Sequence, residues 1–378
     1  MNNMKGDYFS LNKILLLILG LWPYQQSNFA RFQFILLSSI LTTNVIFQYI
    51  ILFLQRQTPN FTKDLGPIFM FTVFMIKYNM FSVKAVKDLM EQLLHVCNKL
   101  KDEKEIAIID AYGCNGKRYT IALTVLAVLT ISTFIVVSFW SNILNVFLST
   151  NTSRSYNLII SKHLIDQEKY FYLILLHNIM SFSIGLTALL ATGTMFFTYL
   201  QYVCGMFKIA SYRIKQAMNV DMLRNHIFIL KSLICAVNIH RQAIKLSKHL
   251  QYSCETMMFY LIAFGVGSLS LNLFRIASFE EGLILPTLYT VITILYMFLA
   301  NYIGQIITNH NHYVFNTAYN VQWYIAPLHI QRIILFLLQR DSKNFTLSVG
   351  GLFVASVECF ATLVKTSVSY FTVIYSTR

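Results

Sequence analysis

Seven apolar stretches in this chain are each long enough to cross a bilayer, whose hydrocarbon core of ~30 Å takes about 20 helical residues. They run over 32–54, 65–83, 119–140, 170–207, 256–274, 282–308 and 350–377. Lys77 is the one charge in the second, Glu358 and Lys365 are the two in the seventh, and the other five carry none. The whole chain of 378 residues is 56% apolar and 12% charged. A soluble domain runs nearer ~45–50% apolar and ~25% charged. A soluble enzyme, a disordered chain and a disulfide-stapled secreted domain are thereby excluded, and an all-α polytopic membrane protein is expected. None of the cysteines (Cys97, Cys114, Cys204, Cys235, Cys254, Cys359) falls in a segment read as lying on the outer side of the membrane, and no CxxC or zinc spacing occurs. Neither a disulfide framework nor a metal or other cofactor is expected.

Lysine and arginine give the orientation. With the N-terminus inside, the inner segments hold 21 of them and the outer segments 7. Cytoplasmic segments carry the excess, so the N-terminus is read as cytoplasmic and the C-terminus as outside. The glycosylation sequons at Asn60 and Asn151 fall in outer loops, in agreement. This orientation excludes a G-protein-coupled receptor, and no Asp-Arg-Tyr follows the third span. The +14 net charge lies in membrane-flanking loops and calls for no nucleic acid. Ile14–Leu21 is too short to span and lacks a small-residue cleavage site after it. It is read as an uncleaved amphipathic helix lying at the interface, with Trp22 at headgroup depth.

The chain reads as one integral domain without linkers or repeats. It divides into a cytoplasmic N-terminus (1–31), spans one to six with their loops (32–308), a cytoplasmic anchor segment (309–349) and a final helix (350–378). The fourth stretch is 38 uncharged residues, about 57 Å of helix at roughly 1.5 Å per residue. It must tilt, break or run on into protein. The segment from Asn309 to Phe345 is apolar in part and is expected to be helical. Together with the inner ends of spans four to seven it would form a helical bundle below the membrane.

No catalytic constellation is present, and the chain is not read as an enzyme. Asn309-His310-Asn311-His312 has histidines on different sides of a helix and no carboxylate nearby, which suits a polar interface rather than a metal. His177 and Asn178 lie among apolar residues, where a polar group faces protein, water or ligand. They either bond between helices or line a pocket. Glu358 and Lys365, seven residues apart, share one helical face and either meet partners at an interface or form a proton relay. The spans also carry aromatics, Met and small polar groups in their outer halves: Phe69, Phe71, Phe74, Met75, Phe134, Trp140, Tyr172, Met180, Ser181 and Tyr289. Such a lining suits a small apolar ligand with few hydrogen bonds, and each residue taken singly also fits plain helix packing.

The C-terminus holds a sharper pattern. Trp323-Tyr324, Gln331-Arg332, an aliphatic run, Arg340 and Lys343 lead into Gly350-Gly351-Leu352-Phe353, and the chain ends near Val364-Lys365-Thr366-Ser367-Val368-Ser369-Tyr370-Phe371-Thr372-Val373. This resembles the C-terminal signature of insect odorant receptors. The N-terminal Gly20-Leu21-Trp22-Pro23 is also similar to that family, the hymenopteran branch in particular. The Gln-Phe ending of gustatory receptors is missing, and the chain is too short for the odorant receptor co-receptor. The resemblance implies a tuning subunit of a ligand-gated cation channel, assembled with the co-receptor as a heterotetramer in the plasma membrane of a sensory dendrite. It implies a small volatile ligand held in the outer half between spans two, three, four and six, by Phe71, Phe74, Met75, Phe134, Trp140, His177, Met180, Ser181 and Tyr289. It further implies a pore lined by Val373, Ser376 and Thr377, where the co-receptor has Gln and Leu at the last two positions and would supply most of the constriction. A gustatory-type homotetramer is the alternative. A secondary transporter fits less well, since neither half of the chain mirrors the other.

Overall fold

The computed structural model describes residues 9–25, 27–54, 61–148, 167–218, 226–278, 283–341, 345–349 and 352–376. Ten α-helices account for nearly all of these residues: α1 Ser10–Ile18, α2 Asn28–Leu54, α3 Phe61–Asn79, α4 Val83–Asn98, α5 Glu103–Leu148, α6 Gln167–Ala217, α7 His226–Ala277, α8 Ile284–Asn320, α9 Leu328–Asp341 and α10 Val357–Ser376. A 3-10 turn, Trp323–Ile325, joins α8 to α9. A short antiparallel hairpin, β1 Ser348–Val349 with β2 Phe353–Val354, precedes α10. Six helices are long and apolar enough to cross a membrane, and the bent pair α3 and α4 brings the number to seven.

The expected second span continues to Val83, whereas the helix stops at Asn79. Ser82 then caps a new helix, its Oγ accepting the Ala85 amide at 3.3 Å, and the chain turns by 58°. A side-chain oxygen offered to an orphan amide competes with continuing the first helix, and at Ser82 it prevails. The long fourth stretch resolves the other way. α6 is unbroken over 51 residues, about 77 Å long, so it crosses the membrane and runs on into protein. α5, α7 and α8 do the same, at 46, 52 and 37 residues.

Their extensions build the anchor bundle, closed by α4 and α9. Its interior holds Phe207, Ile214, Leu233, Ile239, Val314, Phe315 and Ile330, all buried. Polar groups inside it are paired. His240 shares a hydrogen bond with the Asn311 side-chain oxygen at 2.9 Å and meets the edge of Phe315 at 5.3 Å. His310 meets the Tyr112 hydroxyl at 2.7 Å. Two of the residues in the His/Asn run thus tie α8 to α5 and α7. Arg213 on α6 donates two hydrogen bonds to Glu105 on α5, at 2.5 and 2.8 Å. This carboxylate raises the affinity of the guanidinium for its proton still further.

The N-terminal helix packs one face on the bundle. Its Leu15 and Leu16 are buried against α6 and its neighbours, while Ile14 and Ile18 stay exposed. Asn12 on it donates to Thr198 Oγ1 on α6 at 3.0 Å, and Phe9 stacks on Tyr202 at 5.4 Å. Gly20, at φ +68°, turns the chain back toward α2, and a Cβ there would come within 2.9 Å of the Ala30 carbonyl oxygen. Only glycine fits both the conformation and the space.

Candidate ligand site and pore helix

At the end of the bundle far from the anchor, four helices meet around one ring. Phe182, fifteen residues into α6, is fully buried. Phe134 of α5 stacks on it at 4.0 Å. Phe74 and Phe71 of α3 approach edge-on at 5.9 and 6.4 Å, and Tyr289 of α8 lies at 6.1 Å. Edge-on and offset contacts of this kind suit aromatic quadrupoles. The close approach of α3 to α6 needs Gly185, since a Cβ there would overlap the Phe74 ring. Met75 packs half-buried against the cluster.

The structure thus brings five of the residues singled out for ligand contact, Phe71, Phe74, Met75, Phe134 and Tyr289, into one cluster, and adds Phe182 at its centre. The other α6 residues take different directions. His177 Nε2 lies 3.1 Å from Thr43 Oγ1, and Ser181 Oγ donates to the Ile40 carbonyl at 3.4 Å. Both therefore face α2, as does Asn178, whose side-chain oxygen accepts from Asn44 at 2.6 Å. Met180 and Tyr172 are exposed on the outside of the bundle. The side chain of Trp140 lies outside the described residues. On the anchor side of the cluster a cavity of about 210 Å³ opens. Ala127, Leu186, Leu189 and Ile292 belong to both the cluster and the cavity wall.

α10 is the most open helix of the bundle: of its twenty residues only Leu363 and Ser367 are buried. It leans on α8 through Phe360, edge-on to Phe298 at 5.4 Å. Its connection to β2 passes close to α8 where Gly304, lacking a Cβ, makes way for Ala355. Away from α8 and α7 an exposed stripe holds Glu358, Thr362, Lys365, Ser369, Thr372 and Ser376, at alternating steps of four and three. Val373 is exposed beside it. Thr362, Thr372 and Ser376 donate their hydroxyl protons to carbonyls of the preceding turn, which turns their oxygen lone pairs outward. Thr377 and both sequon asparagines, Asn60 and Asn151, lie outside the described residues.

Six to seven apolar helices, a buried aromatic cluster and a final helix with an open polar stripe describe a polytopic membrane protein. A sequence model of the 7tm odorant receptor family matches residues 57–368. The chain belongs to the odorant receptor family, whose members are ligand-gated cation channels. Its fold is similar to that of the insect olfactory receptor OR5 from Machilis hrabei in complex with eugenol, at a TM-score of 0.80 and 14% identity, covering 98% of this chain and 100% of that one. A second structure of the same receptor matches at a TM-score of 0.73, with the same identity and coverage. No curated protein matches the chain by sequence.

Proposed function

We propose that this chain is a tuning subunit of an odorant-gated, non-selective cation channel, working with the co-receptor in a heterotetramer in the plasma membrane. The N-terminus and the anchor bundle lie in the cytoplasm. A small apolar ligand enters the outer half of the bundle among Phe71, Phe74, Phe134, Phe182 and Tyr289. Displacing packed rings there would change how α3, α5, α6 and α8 meet, and α8 carries α10. That Machilis hrabei OR5 has been solved with eugenol supports a small organic ligand for this fold.

The exposed polar stripe of α10 carries this reading. A helix this bare is incomplete alone, and a stripe that carries Glu358 and Lys365 would be costly if turned to lipid. Around a shared axis, the stripes of several subunits would instead line a wet path whose oxygens replace part of a cation's water shell. Exposed Tyr319, Tyr324, Leu328 and Phe336 on the anchor provide an apolar face for neighbouring subunits. The test is whole-cell recording with a ligand panel, from cells expressing this chain with and without the co-receptor. Ligand-evoked cation current only in the pair is the expected result. Equal current from this chain alone would make it a homomeric channel, and no current in either would refute the channel reading.

A further inference from the structure

Lys77 sits two residues before the end of α3. A lysine so placed ordinarily lets its stem carry the ammonium out to the membrane surface. Here the side chain turns inward and is completely buried. Its Nζ lies 5.3 Å from the ring centre of Phe196 and 5.6 Å from that of Tyr296, and it donates to the Tyr296 hydroxyl at 3.3 Å. Among the described residues no carboxylate forms an ion pair with it. An ammonium carries three donors, and a buried cation without an anion is unfavourable.

Space for an anionic partner lies beside the side chain, and a small rotation of the lysine stem, which is fully buried as it stands, would open the ammonium to it. Lys77 is part of the wall of the 210 Å³ cavity on the anchor side of the aromatic cluster. A single water needs only about 10–15 Å³ by the same kind of measure. Leu123, Leu190 and Ile303 make the wall largely apolar. Gly193 also faces it, and a Cβ added there would meet no atom within 4 Å. Glu255 is the one carboxylate in the lining; it is partly exposed.

We propose that this cavity binds a small amphiphile whose single anionic oxygen head, a carboxylate or phosphate, pairs with Lys77 while its apolar tail lies over Gly193. Glu255 selects against a second negative charge on the ligand. The head comes either from a free organic acid or from a monoanionic membrane lipid entering from the bilayer. The site does not use the Phe182 ring, and its occupancy is independent of whether the protein conducts ions.

The full-length chain is reconstituted in phosphatidylcholine nanodiscs, and binding of nonanoate, 1-nonanol and nonanedioate is measured. Nonanoate is expected to bind about tenfold or more tightly than 1-nonanol, because a hydrogen bond between ions is stronger than a neutral one. Nonanedioate should bind more weakly than nonanoate. Lys77→Met removes the acid preference, Lys77→Arg keeps it, and Gly193→Leu blocks nonanoate and nonanol alike by filling the space. Discs containing phosphatidylglycerol identify the source. Competition with nonanoate in the parent, but not in Lys77→Met, assigns the occupant to the bilayer, and unchanged nonanoate affinity assigns it to free acids. Equal affinity of the parent for nonanoate and nonanol overturns the proposal, as does an acid preference that survives Lys77→Met. Should Lys77→Met not reconstitute, Gly193→Leu decides alone: undiminished nonanoate binding in that variant refutes the site.

Discussion

Phe182 shows what a single residue does in this bundle. Nothing in the sequence distinguishes it from the other 30 phenylalanines, because α6 is apolar on most sides and has no marked face. Only the convergence of α3, α5 and α8 makes it the centre of the cluster. Its neighbour Tyr289 was legible as an aromatic near the outer end of a span, and the structure buries it against Phe182. His177 and Ser181, in contrast, look from the sequence like pocket residues, yet they reach α2, because the period of 3.6 turns them more than a quarter of a revolution away from Phe182. Tyr289→Ala should therefore shift the half-maximal concentration of an activating ligand by about tenfold or more, equivalent to roughly 1.4 kcal/mol. Ser181→Ala should leave it nearly unchanged. Dose–response curves at matched surface expression compare the two, and equal small shifts would show that the cluster is packing alone.

At the level of elements, membrane helices and anchor are continuous. α5, α6, α7 and α8 enter the anchor without a break, so the charges that mark the end of an apolar stretch do not mark the end of a helix. Arg213 and Glu105 illustrate this: both lie beyond the apolar runs, and each is held on a helix that continues from the membrane. The Glu105 side chain is 6% exposed and that of Arg213 21%, so the pair is only partly screened. Glu105→Ala would leave the guanidinium with the Cys235 carbonyl and water. A loss of about 2–3 kcal/mol of stability is expected, and Glu105→Gln, which keeps an acceptor, should lose about half as much. Thermal unfolding of the detergent-solubilised protein measures both. Matching midpoints for parent and Glu105→Ala would show that the pair contributes nothing to the joint between α5 and α6.

For the whole molecule, the orientation inferred from basic residues and sequons predicts that an N-terminal tag is labelled only after permeabilisation, and a C-terminal tag on intact cells. The reverse pattern would invert the proposed pore and pocket together. The α10 stripe predicts that Ser376→Lys, a positive charge beside the ion path, depresses cation current by repulsion worth on the order of a kcal/mol or more, with little change in ligand affinity. Whole-cell current and reversal potential at matched expression provide the comparison, and unaltered conductance would place Ser376 away from the path. What the sequence determined by itself was the class. Long uncharged stretches can satisfy their backbone in lipid only as helices, so the helical architecture and the number of crossings were readable from the length and spacing of those stretches. The repeated steps of four and three along α10 were also there to be read. Tertiary structure decided what periodicity cannot encode in helices apolar on nearly every side. It set which ring became the hub and which face of α1 packs on α6. It also turned Lys77 inward, because a membrane helix finds its partners through the shapes of its neighbours and not through a difference between a wet and a dry face.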